Sequence, residues 1–437
     1  MRFHTSLFIF TRDLRIDDNV ALIEACNNSD EVICCFVLDP NIAKKDSYRL
    51  RFLLDCIKDL KNEFVRRKSI LQIFSGDYHW AIQQIERQKK INAIFINKDF
   101  TPFAKKRQTE ISAYCMKNKK LFCQYVDHLM YDPNLIKTLQ GKPYTIFSQF
   151  FRSSVQIPVP KPREDKITNF YSEKISDYAI NSNFVERGGG RKNALKILQN
   201  ISEHVDYKIK RNYPGVDGTT RLSAHNRFGT ISVRELYHSI ADSLGPDHIL
   251  ISEIYWREFF SHILYHFPDV VKKSFRRQDI SWKYNQAHFE AWKQGKTGFP
   301  IVDAGMRQLN NSGFMHNRVR MIVASFLTKD LHIDWKKGER YFAEKLVDYD
   351  LAVNNGNWQW VASTGCDAQP WFRIFNPWLQ QKKFDPDCRY IKKWIPELAP
   401  LNSNQIHRLE KESFGSDYPR PIVDHSKESK IAKQMFG

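Results

Sequence analysis

The chain has no pair of cysteines in C-x-x-C spacing, and its eight cysteines follow no regular ladder. That speaks against a structural zinc framework or a disulfide scaffold and points to a reducing compartment. Cys34 and Cys35 are adjacent inside an apolar run and read as strand packing. Long hydrophobic runs are missing too. The longest, residues 32–38, suits a strand and falls far short of a membrane span. Met1-Arg2-Phe3-His4-Thr5-Ser6 lacks the apolar region of a signal peptide. No G-x-G-x-x-G follows the first apolar run, so a dinucleotide site of that kind is not expected there. Acidic residues are scarce: 49 Asp and Glu face 67 Lys and Arg, a net charge of +18. Such a balance suits a polyanionic partner, nucleic acid first, although Lys-rich coding habits give a similar excess. The expectation is a soluble, cytoplasmic protein with no membrane segment and no metal.

A chain of 437 residues is too long for one core. Its first 130 residues alternate apolar runs (residues 7–10, 31–38, 70–74, 93–96 and 121–125) with helical patterns. One such pattern places Phe52, Leu53, Cys56, Ile57, Leu60 and Phe64 on a single stripe. Strand–helix alternation of this kind predicts an α/β domain with a five-stranded parallel sheet covered on both faces. After the first strand comes Thr11-Arg12-Asp13-Leu14-Arg15, then Asp17-Asp18-Asn19 as a helix cap. Residues 131–190, with Pro158, Pro160, Pro162 and Gly188-Gly189-Gly190, read as a linker. Residues 191–437 read as an all-α domain rich in tryptophan, with nine of the ten indoles beyond residue 250. Indoles in a basic domain serve packing or stack on planar ligands.

Four stretches carry mixed chemistry. Asp217-Gly218-Thr219-Thr220-Arg221-Leu222-Ser223 offers hydroxyls and an Arg at a helix start, a phosphate cradle or a plain capped loop. Glu253, Trp256, Arg257 and Phe260 fall at i, i+3, i+4 and i+7, one helical face that could stack and hydrogen-bond a base. A surface Glu–Arg pair is the plain alternative. Asn317-Arg318-Val319-Arg320 sends its arginines to different sides, one toward phosphate and one toward a buried Asp such as Asp348. Asp348-Tyr349-Asp350-Leu351-Ala352-Val353-Asn354-Asn355-Gly356-Asn357-Trp358-Gln359-Trp360 mixes carboxylates, amides and indoles. On a helix Trp358 and Trp360 point about 200° apart, so they cannot face one partner.

At these residues the chain resembles the DNA photolyase/cryptochrome family, most closely its class I cyclobutane pyrimidine dimer photolyases. The resemblance covers nearly the whole chain. It is carried by Thr219-Thr220-Arg221-Leu222-Ser223, Trp256-Arg257-Glu258-Phe259, Gly298-Phe299-Pro300-Ile301-Val302-Asp303-Ala304, Met315-His316-Asn317-Arg318 and Asn354-Asn355-Gly356-Asn357-Trp358-Gln359-Trp360. It implies an antenna domain followed by a helical domain holding one FAD, reduced in the active form. Tyr207 and Thr219, Thr220, Arg221, Leu222 and Ser223 then look like the flavin phosphate site. Arg320 and Asp348 look like the ion pair beside the ring system, and Asp350 like the partner of its polar edge. Asn354 stands where the residue facing flavin N5 sits. Trp282, Trp335 and Trp358 match the chain that passes electrons to photoexcited oxidised flavin. Glu253, Trp256, Asn317, Met321 and Trp360 match the lesion pocket. Arg211, Arg257, Arg318, Arg373 and Gln380 are matched to strand contacts. The folate antenna's Asn-Glu pair is replaced by Phe103-Ala104, leaving a deazaflavin, a second flavin or no antenna open.

What the resemblance implies is light-driven repair of cyclobutane pyrimidine dimers in UV-damaged DNA by a monomer, through electron transfer to a flipped-out dimer. The alternatives are a cryptochrome-like sensor, a (6-4) photolyase, or a flavin-free nucleic-acid-binding protein.

Overall fold

The computed structural model describes residues 2–40, 47–176, 178, 188–277, 279–415 and 417–437. By internal packing the chain divides into two compact units. The first holds residues 1–144, 148–202 and 221–268, and the second holds 145–147, 203–220 and 269–437.

In the first unit, β1 (Phe3–Phe10), β2 (Ser29–Leu38), β3 (Leu71–Ser75), β4 (Ala93–Asn97) and β5 (Leu121–Tyr125) form one parallel sheet in the order β3-β2-β1-β4-β5. Helices α1 (Val20–Asn27), α2 (Tyr48–Arg66), α3 (Tyr78–Gln88) and α4 (Pro102–Lys117) alternate with the strands. The stripe Phe52, Leu53, Cys56, Ile57, Leu60 and Phe64 is the buried side of α2. The central strands are buried on both faces, as their unbroken apolar runs require.

Where a glycine loop would stand after β1, the chain builds a buried polar hub. Thr11 N–H donates to Asp13 Oδ1 at 2.6 Å, and Asn97 Nδ2 donates to Asp13 Oδ2 at 2.6 Å. Arg15 donates to both oxygens of Asp127 at 2.7 Å, and Arg234 Nη2 donates to Asp127 Oδ1 at 2.8 Å. Gly229, at φ +62°, lies against the Arg12 carbonyl so tightly that any side chain would collide with that backbone.

Residues 131–190 are largely part of this unit and only briefly a spacer. Val159, Ile167, Phe170, Tyr171 and Ile175 are buried. Val32 N–H donates to Asn169 O at 2.9 Å and Tyr171 N–H to Val32 O at 2.9 Å. The prolines do enforce extended backbone. Residues 169–171 pair with β2, while residues 177 and 179–187 of the expected linker lie outside the described residues.

Two further helices complete the first unit for the present purpose, α5 (Val233–Leu244) and α6 (Ile249–His266). The second unit is helical. Helices α7 (Gln286–Gln294), α8 (Pro300–Ser312), α9 (Asn317–Ser325), α10 (Trp335–Lys345), α11 (Leu351–Val361), α12 (Pro377–Phe384) and α13 (His425–Phe436) surround or flank a core containing Trp292, Trp335, Trp358 and Phe326. Helix α9 runs into one π-helical turn, Phe326–Asp330.

Candidate functional site

Helix α11 carries the motif with the mixed chemistry. Its start is fixed by Asp350, whose Oδ1 accepts from Ala352 N–H and Val353 N–H at 3.0 and 3.3 Å. The amides then divide by helical side. Asn355 and Gln359, four apart, both donate to Val270 O, at 3.1 and 3.0 Å, and Gln359 Oε1 accepts from Phe275 N–H at 2.8 Å. These two amides are structural: they satisfy the backbone of residues 270–275. Asn354 and Trp358, also four apart, form the neighbouring stripe. Asn354 Nδ2 donates to Glu339 Oε1 at 2.9 Å and to Glu339 O at 3.2 Å. Burial pushes the Glu339 carboxyl up, against the hydrogen bond from Asn354. Sequence reasoning missed Glu339. Nothing in its spacing marks it, because the contact depends on how α10 registers on α11.

Arg320 Nη2 donates to both oxygens of Asp348, at 3.2 and 3.0 Å, and its Nε donates to Met315 O at 2.8 Å. The expected buried-Asp partner of one arginine is therefore present. The other, Arg318, gives Nη2 to Asn212 Oδ1 at 2.5 Å and stacks over Phe384 at 4.3 Å. Asn317 is exposed at the first turn of α9, after His316 as N-cap. Met321 and Trp360 are half-buried against the core of the second unit.

Among the three chain tryptophans, Trp358 and Trp335 are buried and Trp282 is half-buried. Trp335 Nε1 donates to Ser274 Oγ at 3.1 Å. One turn along α10, Gly338 lies hard against the Trp358 indole, so Trp358 packs on the side of α10 that Trp335 begins. Phe342 and Trp292 complete the indole's surroundings, with centroids at 5.0 and 6.3 Å. Trp282 meets Phe436 edge-on at 5.6 Å.

The residues matched to the flavin phosphates are split by unit. Tyr207, Thr219 and Thr220 belong to the second, Arg221, Leu222 and Ser223 to the first. Arg211 lies over the Tyr207 ring at 5.4 Å. Arg221 takes φ +55°, a conformation unusual outside glycine and concentrated at functional loops. The donor set has the chemistry a flavin dinucleotide needs. A guanidinium–carboxylate pair, a buried Asp and a neutral Asn suit the ring, and hydroxyls beside an Arg suit the phosphates.

On α6, Trp256 stacks at a tilt on Phe260, with centroids 5.6 Å apart, and Glu253 and Trp256 are both half-buried. Arg257 departs from the expected stripe. Its side chain is 14% exposed, and its Nη1 donates to Glu258 Oε1 at 3.0 Å. The helical count put Arg257 on the same stripe as Trp256, and its guanidinium reaches the buried carboxylate next to it in sequence. Arg373 is exposed before α12, and Gln380 is half-buried on α12. No group of three or more His, Cys, Asp or Glu suited to a metal occurs among the described residues. No described helix is long and apolar enough to cross a membrane.

Comparison with known proteins places the whole chain. A model of the FAD binding domain of DNA photolyase matches residues 250–437, and a DNA photolyase model matches residues 6–164. The deoxyribodipyrimidine photo-lyase of Synechococcus sp. is 36% identical over 98% of this chain and 96% of its own. That of Escherichia coli is 34% identical over 98% and 97%. An archaeal photolyase from Sulfolobus tokodaii, solved with two FAD molecules, superposes with TM-score 0.88 at 38% identity over 99% of each chain. A Synechocystis sp. cryptochrome gives 0.88 at 26% identity over 100% of this chain and 99% of its own. With parallel sheet and helical unit matched nearly from end to end, the chain belongs to the DNA photolyase family and carries its FAD-binding domain.

Proposed function

We propose that the protein repairs cyclobutane pyrimidine dimers in UV-damaged DNA under light. The observation that carries this reading is the half-buried side of α6, with Phe260 buried behind Trp256. There Glu253, Trp256 and Phe260 stand at i, i+3 and i+7, a hydrogen-bonding carboxyl beside a stacking platform. A damaged base step unstacks for a few kcal/mol or less. Stacking on indole returns ~1–3 kcal/mol per base, enough to offset it. Glu253 hydrogen-bonds the dimer where charge develops on it. The family resemblance also assigns Asn317, Met321 and Trp360 to lesion recognition. FAD, when bound, supplies the electron that opens the ring and takes it back, so no net redox change results. Arg320, Asp348, Asp350 and Asn354 bind and orient its ring, and Arg211 and Arg373 meet DNA phosphates. The protein acts as a monomer in the cytoplasm.

The test is loss of a single thymine dimer from an oligonucleotide by the FAD-loaded, reduced protein, in blue light and in darkness. Repair in light alone is expected. Glu253→Ala should slow it roughly 100-fold or more, the worth of one preorganised hydrogen bond to a developing charge. Flavin bound with no dimer loss in light would turn the reading toward a sensor or a (6-4) enzyme.

For the antenna, Ala104 is buried and Phe103 is 54% exposed, so neither offers the polar pair a folate would need. The Sulfolobus tokodaii relative has two FAD molecules, and a second flavin is the antenna we assign here. Acid extraction of purified protein should release two flavins per chain. One flavin alone, or a deazaflavin, would overturn that assignment.

A further inference from the structure

Helix α6 has a second side, opposite the one assigned to the lesion. At 100° per residue, positions 255, 258, 265 and 266 cluster roughly 160° from positions 253, 256 and 260. All four hold the segment 127–134. Glu258 Oε2 accepts from Met130 N–H at 3.0 Å. Tyr255 O–H donates to the Tyr131 hydroxyl. Tyr265 Oη accepts from Asn134 Nδ2 at 2.6 Å, and His266 Nε2–H donates to Pro133 O at 3.2 Å. The segment is itself rooted in the sheet through Asp127, the hub of Arg15 and Arg234. Helix α6 is thus a beam, with an anchoring side and a presenting side.

Glu258 is the one ionisable acid on the anchoring side, and it is almost wholly buried. Its Oε1 takes Arg257 Nη1 at 3.0 Å. Arg257 lines a small polar cavity with Arg12, His128, Asp127 and Ser232. The charged and titratable groups facing Glu258 are therefore Arg257 and Tyr255 on its own helix, Arg12 after β1 and Tyr131, with His128 beside Arg257 and Arg12 in the cavity.

We propose that Glu258 is a positioning residue for lesion recognition: by accepting from Met130 N–H and Arg257 it fixes the rotation of α6, and with it the direction in which Glu253 and Trp256 are presented. This rests on the lesion reading of α6 given above. The chemistry is simple. An ionised carboxylate accepts from both partners, and both partners are donors. Protonation turns one oxygen into an O–H that confronts a donor, so one of the two anchoring contacts is lost. Burial pushes the Glu258 carboxyl up to about 7, against Arg257, Met130 N–H and Arg12. The change therefore falls within the working range of pH.

The experiment uses the full-length, FAD-loaded protein in darkness. Its affinity for a thymine-dimer oligonucleotide and for the undamaged twin is measured between about pH 6 and about pH 8, beside amide hydrogen exchange of residues 127–134 and α6 without DNA. The ratio of the two affinities should rise by roughly 5-fold or more with pH, the scale of a typical coupling. Its midpoint should lie near 7, and protection of Met130 N–H should rise with it. Glu258→Gln, which mimics the protonated acid, should hold the low-pH ratio throughout and lose the dependence. Arg257→Gln removes the cation favouring the carboxylate and should move the midpoint to higher pH, which keeps the idea testable if the first variant does not fold. A flat wild-type ratio, or an unshifted midpoint in Arg257→Gln, sinks the proposal. Equal affinity for damaged and undamaged DNA at every pH, with the protection change intact, refutes the lesion reading itself and the positioning role with it, while leaving the anchor in place.

Discussion

Trp358→Phe is expected to stop light-driven reduction of the oxidised flavin and to leave dimer repair by chemically reduced protein nearly intact. The two processes draw on different residues. Repair needs the flavin, already reduced, and the residues that hold the dimer. Reduction needs an oxidisable side chain next to the flavin and a route outward. Trp358 follows Asn354 by one helical turn on the same stripe of α11, so it is the first indole beyond the position matched to flavin N5. It packs on α10 through Gly338, on the side where Trp335 begins the helix, and Trp282 lies further out, only half-buried. Phenylalanine keeps the packing against Phe342 and Trp292 but is far harder to oxidise. An added barrier of only ~2.7 kcal/mol already costs a hundredfold in rate, and loss of the donor adds more than that. The packing cost of this large-to-small change is about 1–2 kcal/mol, too small to unfold the unit. The measurement is flavin absorbance under blue light with an external thiol as final reductant, beside a repair assay on dithionite-reduced protein. Undiminished photoreduction would show that Trp358 is not the first donor.

How much of this could be read in advance differs by level. The five strands were legible because each is a short apolar run bounded by polar residues, and 121–125 matches its strand to the residue. Their order was not legible, since pairing β1 with both β2 and β4 is a non-local choice that no local period encodes. Pro158, Pro160 and Pro162 speak against helix through this stretch, and it carries no helix or strand. They did not say that Phe170 and Tyr171 would be buried and that Asn169 and Tyr171 would pair with Val32, because an extended chain can dock on a sheet as well as span a gap.

At the site, the Arg320–Asp348 pair was expected and is present, 28 positions apart in sequence. The Arg257–Glu258 pair was hidden by the same counting that found the α6 stripe. Helical periodicity assigns directions to Cβ atoms, and a long guanidinium stem can reach round to the neighbouring position, about 100° away. Glu339 and Asp127 were beyond reach for a different reason. Each is a lone acid in an ordinary helical or loop context, and only the packing of other elements around it makes it a partner of Asn354 or of two arginines.

Asp127→Ala is expected to cost the most stability of any single change in the first unit, about 3–5 kcal/mol, because it breaks a buried ion network by removing its only shared acid. Asp127 is fully buried, and its carboxylate takes Arg15 on both oxygens, Arg234 Nη2 at 2.8 Å and Val20 N–H at 3.2 Å. Arg15 and Arg234 are buried as well; without Asp127 the carboxylates left around them are Asp18, already paired to Arg234, and Asp13 and Glu235, which interact with Arg15. A domain of this size is stable by ~5–15 kcal/mol, so the variant loses a large share of that. The wild-type network also sets the acid limit. Burial alone would raise the Asp127 carboxyl, but Arg15 and Arg234 hold it at about 2. A depressed carboxyl contributes stability above its unfolded value, near 4, and that contribution is lost as pH falls from there through about 2. Thermal melts should therefore show the wild type losing stability over that window, with the Ala variant already low at neutral pH and flatter below about pH 4. Asp127→Asn keeps the shape and one acceptor and should fall between the two. A variant melting within a degree or two of wild type at neutral pH would mean that the network is replaceable by water, and that the hub after β1 is not what closes this end of the sheet.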